Sequence, residues 1–290
     1  MIAVESVEIQ NPFLRMMRQM SPRPRDHGQL FGDSPQAEGR VFGGQVLAQS
    51  LLAGYLSVPD TLVAHSMHAY FLRGGDPQLP IKFDVEILRD GRSFSTRQVI
   101  ASQNGKAIFS AAISFHIREE GLSHQEAMPE ILDPEHCEVL NPIDKEGLTL
   151  NQRYRLLDLF HIELRTASKG ATQTGGAHKA SWFRIRGRMP TENIQLQQAA
   201  LAMLSDYTLL SAAFVAHEGD LFDGKFNAAS LDHAIWFHNP PDLNDFVLYT
   251  SESPWSDNAR GFSRGELWSR RGKLLASTAQ EGLMRLGQPR

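Results

Sequence analysis

S-L-D-H-A-I-W-F-H at residues 230–238 sets Ser230, Asp232 and Ala234 between Leu231, His233, Ile235 and Phe237. A two-residue period predicts a strand buried on at least one face, with the Ser230 hydroxyl and the Asp232 carboxylate pointing the same way. Polar groups where a strand should supply core mark either a packing compromise or the floor of a site. The stretch also has a counterpart earlier in the chain. S-M-H-A-Y-F-L-R (66–73) lies on L-D-H-A-I-W-F-H (231–238), setting His68 on His233 and Phe71 on Trp236. Further on, G-R-S-F-S-T (91–96) lies on A-R-G-F-S-R (259–264), and G-K-A-I-F-S-A-A-I (105–113) on G-K-L-L-A-S-T-A-Q (272–280). Phe94 then meets Phe262, Lys106 meets Lys273 and Ser110 meets Ser277. The same order of helix, strand and two hairpins occurs twice, which implies an internal duplication.

The helices of the two copies are predicted at 42–56 and from Ile194 to about His217. The first is apolar on most faces, the pattern of an enclosed helix, and it opens on Gly43-Gly44, whose backbone can be approached closely. In the second, Leu196, Ala200, Met203, Tyr207, Leu210 and Phe214 form one apolar stripe, with Asp206 one position off it. After the first helix, strands at 63–72, 82–89, 93–103 and 106–117 are separated in part by Asp90-Gly91 and Asn104-Gly105, strong hairpin signals. Alternating runs at 154–166 and 179–188 predict two more strands around a Gly-, Thr- and Ser-rich turn at 168–176. Residues 119–146 are acidic and punctuated by Pro129, Pro134 and Pro142, the composition of a linker or surface excursion. The expected organisation is a first unit over 1–118, a linker over 119–150 and a second unit over 151–290, both units α+β, with sheets able to join edge to edge.

Composition bounds the function. The chain has 290 residues, 41% apolar and 21% charged, enough for a large core. A net charge of −4 gives no electrostatic reason to expect nucleic acid as partner. One cysteine, Cys137, cannot form an internal disulfide. No membrane span, leader pattern or receptor-read C-terminal address is evident, and the expected location is the cytoplasm.

Comparison of the copies at polar positions points to chemistry. With Leu47-Ala48-Gln49 set on Leu201-Ala202-Met203 and the strands matched as above, Asp206 falls on Leu52, Ser230 on His65 and Gln280 on Ile113. An unpaired buried carboxylate or amide costs about 1–3 kcal/mol, so Asp206, Ser230 and Gln280 are better explained together, hydrogen-bonded to one another and to a water. Taken singly, each has an ordinary reading: a solvated helix-edge Asp, a tolerated strand Ser, a surface Gln. Asp232 is an equal rival to Ser230 by alternation, and His233, matched by His68, reads as structural. His65, Arg260 and Arg264 are possible anion contacts. G-F-S-R-G (261–265) spells a nucleophile elbow at Ser263, but a strand-like run follows it where a helix is required, and no Asp or His lies downstream. There is no zinc, Walker or dinucleotide spacing, so a reaction without metal or cofactor is expected.

G-R-V-F-G-G-Q-V-L-A-Q (39–49), H-S-M-H-A-Y-F-L-R-G-G-D (65–76), S-L-D-H-A-I-W-F-H (230–238), A-R-G-F-S-R-G (259–265) and A-S-T-A-Q-E-G-L-M-R (276–285) together resemble the acyl-CoA thioesterase II (TesB-like) family. The resemblance implies a double hotdog fold and hydrolysis of fatty acyl-CoA to fatty acid and CoA without a covalent intermediate. It implies that Asp206, Ser230 and Gln280 hold the attacking water, with Ser230 where many relatives carry Thr. His65 and Arg260 are then candidates for substrate binding, and a homodimer or homotetramer is expected. An enoyl-thioester dehydratase using His65 or His233, or a non-enzymatic acyl-CoA-binding module, are the alternative readings.

Overall fold

The computed structural model describes residues 11–143, 155–167, 177–217 and 226–287. In chain order its elements are α1 (Pro12–Met20), β1 (Arg23–Pro24), β2 (Leu30–Gly32), α2 (Gly43–Tyr55), β3 (Leu62–Phe71), β4 (Ile81–Asp90), β5 (Phe94–Gln103), β6 (Lys106–Ile117), β7 (Glu138–Val139), α3 (Arg155–Leu159), β8 (Ile162–Thr166), β9 (His178–Ile185), α4 (Ile194–Thr208), α5 (Ala212–Val215), β10 (Phe226–Ser230), β11 (Asp232–Phe237), β12 (Val247–Asp257), β13 (Arg260–Ser269) and β14 (Leu274–Leu286). Among the described residues these strands make one 14-stranded antiparallel sheet in the order β1-β2-β4-β5-β6-β3-β11-β14-β13-β12-β9-β8-β7, with β10 also beside β14. The halves join where β3 meets β11, with His68 opposite Ala234. The result is the α+β double hotdog, two helix-wrapped sheets made continuous.

α2 and α4 pack against each other inside the curve of the sheet, and one hydrophobic core runs through both halves. That position explains why α2 is apolar almost all round. In α4 every residue from Gln197 to Thr208 is buried. The stretch Ile194–Val215 is long and apolar enough to cross a membrane by composition, yet 94% of the 18 apolar-rich residues that meet that test are buried inside the fold. Burying each large aliphatic side chain contributes about 1.5–3 kcal/mol, so this helix pair is a main source of stability. The Asn104-Gly105 turn has φ of 48° and 72°, the left-handed pair that a two-residue hairpin turn requires.

Two of these elements differ from the expectation. The second helix does not reach His217: regular bonding stops at Thr208, and Ser211 N–H and Ala212 N–H instead reach back three residues to Thr208 O and Leu209 O. The Ser211 hydroxyl holds Thr208 O as well, and Lys179 from β9 donates to that hydroxyl at 2.8 Å. The expected strand at 154–166 begins as α3, which places Leu156, Leu157 and Phe160 along one helical side; His161, at φ 54°, then turns the chain into β8. Of the linker, the described part is a strap over the outer sheet face. Met128 and Ile131 pack on a second apolar cluster that contains Trp182, Phe246 and Trp268, and the Trp182 indole N–H donates to Leu132 O at 2.9 Å. The predicted turn at 168–176 lies outside the described residues.

The 230–238 stretch is two strands rather than one. Ser230 faces Gly282, but Ala234 faces Ala279, four steps on one strand against three on the other. Leu231 and Asp232 together stand opposite Glu281: the Leu231 N–H donates to Glu281 O at 2.9 Å, and the Asp232 carboxylate accepts from Glu281 N–H at 2.6 Å. This β-bulge changes the parity of the strand. His233, Ile235 and Phe237 face the helices, and so does Ser230, while Asp232 turns outward. Ser230 and Asp232 therefore do not share a face, and Asp232 serves as the bulge's hydrogen-bond filler. β3 has the same irregularity, with His65 as its extra residue between the Ala64–Phe115 and Ser66–Ser114 pairs.

Candidate active site

Asp206 sits two residues before the end of α4, where that helix crosses the first turn of α2. The approach is close enough to demand glycine. A Cβ on Gly43 would lie 2.6 Å from the Asp206 Oδ2 and 2.8 Å from the Phe71 ring, and one on Gly44 would lie 2.4 Å from Met203 O. Because no side chain intervenes, Gly44 N–H donates directly to the Asp206 carboxylate. That N–H is one of the unsatisfied donors of a helix start, where the helix dipole also favours negative charge.

Two strand side chains complete the cluster. Gln280 Nε2 donates to Asp206 Oδ1 at 2.7 Å, and Ser230 Oγ donates to the same oxygen at 3.4 Å. Burial pushes the Asp206 carboxyl up to about 6, and the hydrogen bonds from Gln280, Gly44 and Ser230 pull against that rise without cancelling it. His233 Nδ1 lies 3.8 Å from Asp206 Oδ1. Burial pushes the imidazole down to about 3, so the ring is neutral and the contact is not an ion pair.

The cluster opens onto a cavity of about 840 Å³ lined by Val41, Phe42, Val46, Phe71, Ile108, Phe109, Leu156, Tyr207 and Leu210, with Asp206 and Ser230 in its wall. Exposed Arg40 and Arg73 stand at its rim. Arg73 Nη1 donates to Ala107 O at 2.7 Å, and a Val41 N–H to Gly75 O bond of 2.9 Å ties the two rim segments together. Among the described residues no three His, Cys, Asp or Glu side chains cluster as metal ligands.

The fold thus brings Asp206, Ser230 and Gln280 together, and leaves His65 and Arg260 elsewhere. His65 bonds Ser114 Oγ at 2.8 Å and stacks edge-on against Phe94, away from the cavity wall. Arg260 pairs with Glu281 at 3.1 Å and lies over Trp255, on the opposite strand face from Gly261, which meets α5. Ser263 is fully buried in mid-strand, with no elbow. The rim arginines were not singled out in the sequence, although each stands beside a glycine-rich turn, R-V-F-G-G and R-G-G-D. In the first half, the place equivalent to Ser230 is closed by protein. Tyr55 hydroxyl donates to Gln198 Oε1 and accepts Ala64 N–H at 2.8 Å, and Gln198 Nε2 donates to Ala64 O at 2.9 Å.

Two family models match the chain, one described as acyl-CoA thioesterase over residues 157–283 and one as the acyl-CoA thioesterase N-terminal domain over residues 32–116. Acyl-CoA thioesterase 2 of Haemophilus influenzae is 38% identical over 255 residues, spanning 86% of this chain and 89% of that protein. The crystal structure of the acyl-CoA thioesterase II TesB2 from Mycobacterium marinum superposes with a TM-score of 0.80 at 34% identity, covering 94% of this chain and 98% of that one. A hot dog fold protein from Alicyclobacillus acidocaldarius, 21% identical, has a TM-score of 0.76 over 94% of this chain and 98% of its own, a likeness of fold.

Proposed function

The chain belongs to the acyl-CoA thioesterase family and hydrolyses acyl-CoA thioesters, and we propose that it does so by direct attack of a water held by Asp206, Ser230 and Gln280. The observation that carries this reading is a buried carboxylate, raised to about 6, that takes hydrogen bonds from Gln280, Ser230 and Gly44 in the wall of an apolar cavity. A base near neutrality is ionised at working pH yet still accepts a proton readily. Asp206 takes one proton from the water as its oxygen bonds to the thioester carbon. The carbonyl π pair moves to oxygen, where first-turn N–H groups of α2 at Gly43 supply the positive end of the helix. Collapse expels the thiolate, which takes the proton back from Asp206. Acid and thiol leave, and no bond to the protein forms.

The apolar cavity takes a fatty acyl chain, and Arg40 and Arg73 at its rim meet the CoA phosphates. The test is thiol release over a ladder of acyl-CoA lengths by the wild type and by Asp206→Asn, Gln280→Ala and Ser230→Ala. Each is expected to fold, with turnover falling by about two orders of magnitude or more for Asp206 and Gln280. Unchanged turnover in either of those two would remove the assignment. A pre-steady-state burst of thiol with acyl group retained on the protein would remove the direct attack.

A further inference from the structure

The register that relates the halves singles out one more side chain. Tyr70 stands opposite Ser110 and Trp236 opposite Ser277, so superposing Ser110 on Ser277 puts Tyr70 on Trp236 and, three positions earlier on each strand, Met67 on His233. By the same register Ala64 is the counterpart of Ser230, and Ile113 that of Gln280. Around one carboxylate, then, the second half carries polar groups at three places where the first half is apolar. His233 is one of them.

Its surroundings assign the ring one tautomer. Ser205 Oγ lies 2.8 Å from Ala202 O, to which it can only donate, and 2.9 Å from His233 Nε2; with its one proton on the carbonyl, Nε2 bears the ring hydrogen and Ser205 accepts it. Nδ1 is left with its lone pair, fully buried and without a hydrogen-bond partner, 3.8 Å from Asp206 Oδ1. A buried imidazole nitrogen without a partner is costly unless another state of the molecule supplies one.

We propose that His233 is a positioning residue for the hydrolysis: its Nδ1 lone pair accepts a hydrogen bond from Asp206 once that carboxylate has taken the proton of the attacking water. This rests on Asp206 acting as the base. The proton leaves the water as the new carbon–oxygen bond forms, stays on Asp206 directed at Nδ1, and passes to the thiolate sulfur when the carbon–sulfur bond breaks. His233 stays neutral throughout. With Asp206 ionised, the same lone pair faces the carboxylate and opposes its charge, which keeps it basic. The other groups about the ring and the carboxylate it faces are Tyr249 of β12, bonded to Ser205 O and Thr278 Oγ1 at 2.9 and 2.8 Å, Gln280 of β14, Ala69 of β3 opposite His233, and, on the carboxylate side, the glycines opening α2. Of these only Tyr249 ionises, and burial raises it well above the usual tyrosine range.

The experiment is the pH dependence of kcat and kcat/KM for acyl-CoA, from about pH 4.5 to 8.5, in the wild type, His233→Met, Ser205→Ala and Asp206→Asn. Methionine is the residue at the equivalent place in the first half, so its volume suits a helix-facing strand. Ser205→Ala keeps the ring but removes the acceptor of Nε2–H, which allows the ring to move its hydrogen to Nδ1 and donate to the carboxylate. In both variants the acid limb is expected to move to lower pH, by about one unit or more in Ser205→Ala, with plateau kcat down about tenfold. A purely structural role would lower activity without moving the limb. An unmoved acid limb in the folded variants overturns the proposal, and Ser205→Ala decides alone if His233→Met does not fold. Full turnover in Asp206→Asn would overturn the reading beneath it; loss of turnover there with unmoved limbs in the others overturns the role of His233 alone.

Discussion

Replacing Asp206 by Asn should stabilise the protein at alkaline pH and inactivate it. Burial raises the carboxyl from 3.8 to about 6. Between those values the folded protein holds a proton that the unfolded chain has lost, so the favourable contribution is complete below 3.8 and is lost as pH rises through 6. Above that, the ionised buried carboxylate costs about 3 kcal/mol, from roughly two pKa units at ~1.4 kcal/mol each. Asparagine carries no charge and keeps an oxygen for one donor. Its NH2, however, must face Gln280 Nε2 or Gly44 N–H, both of them donors, at a loss of about 1 kcal/mol. The net expectation is a gain of about 2 kcal/mol at pH 8 that shrinks with acidification and turns into a slight loss near pH 4. In thermal terms the gain at pH 8 is about 2–6 °C. Urea unfolding followed through the buried Trp182 and Trp268, at several pH values for wild type and variant, gives the difference directly, with thiol release measured on the same samples. An Asn variant less stable than wild type at pH 8, or a stability difference that does not vary with pH, would refute the reasoning.

The other expectations are narrower. In the wild type, kcat/KM should fall as pH drops through about 6, because protonation removes Asp206 as a base; a profile flat down to about pH 4.5 would contradict that. Gly43→Ala places a methyl 2.6 Å from Asp206 Oδ2 and should cut turnover at least about tenfold and stability by about 1–3 kcal/mol, read from kinetics and thermal unfolding. Arg40→Ala and Arg73→Ala should raise KM for acyl-CoA several-fold while leaving hydrolysis of an acyl-pantetheine, which lacks the nucleotide phosphates, unaltered, whereas Arg260→Ala should change neither; equal effects on both substrates would count against phosphate contacts. Arg97, 1% exposed, donates to Ser57 O at 2.8 Å and Arg89 O at 3.1 Å, so Arg97→Ala should destabilise by about 2–4 kcal/mol in urea without altering KM.

What could be read from the chain was whatever repeats. The helices, the hairpin turns and the duplication are periodic signals, and Gln280 stood out as a polar residue where its first-half counterpart, Ile113, is apolar. The misreading of the 230–238 strand has a physical cause, which is that a bulge adds a residue without adding a letter that marks it. Once Leu231 is extra, every later position of that strand exchanges faces, and Asp232 parts from Ser230. The two His-Ala pairs that look alike in sequence stand one step out of register. His68 stands opposite Ala234 and rests edge-on against Trp236, whereas His233 points inward to Ser205. The same slip set His65 against Ser230, although the register matches His65 to Leu231 and Ala64 to Ser230. The bulge itself does not make a site, because β3 has one too, and there Tyr55 and Gln198 close over Ala64. The proposed chemistry rests on the bulge together with what only the second half supplies: a hydroxyl at the residue before it, polar side chains at His233 and Gln280, and a carboxylate on α4 against the glycine-lined start of α2.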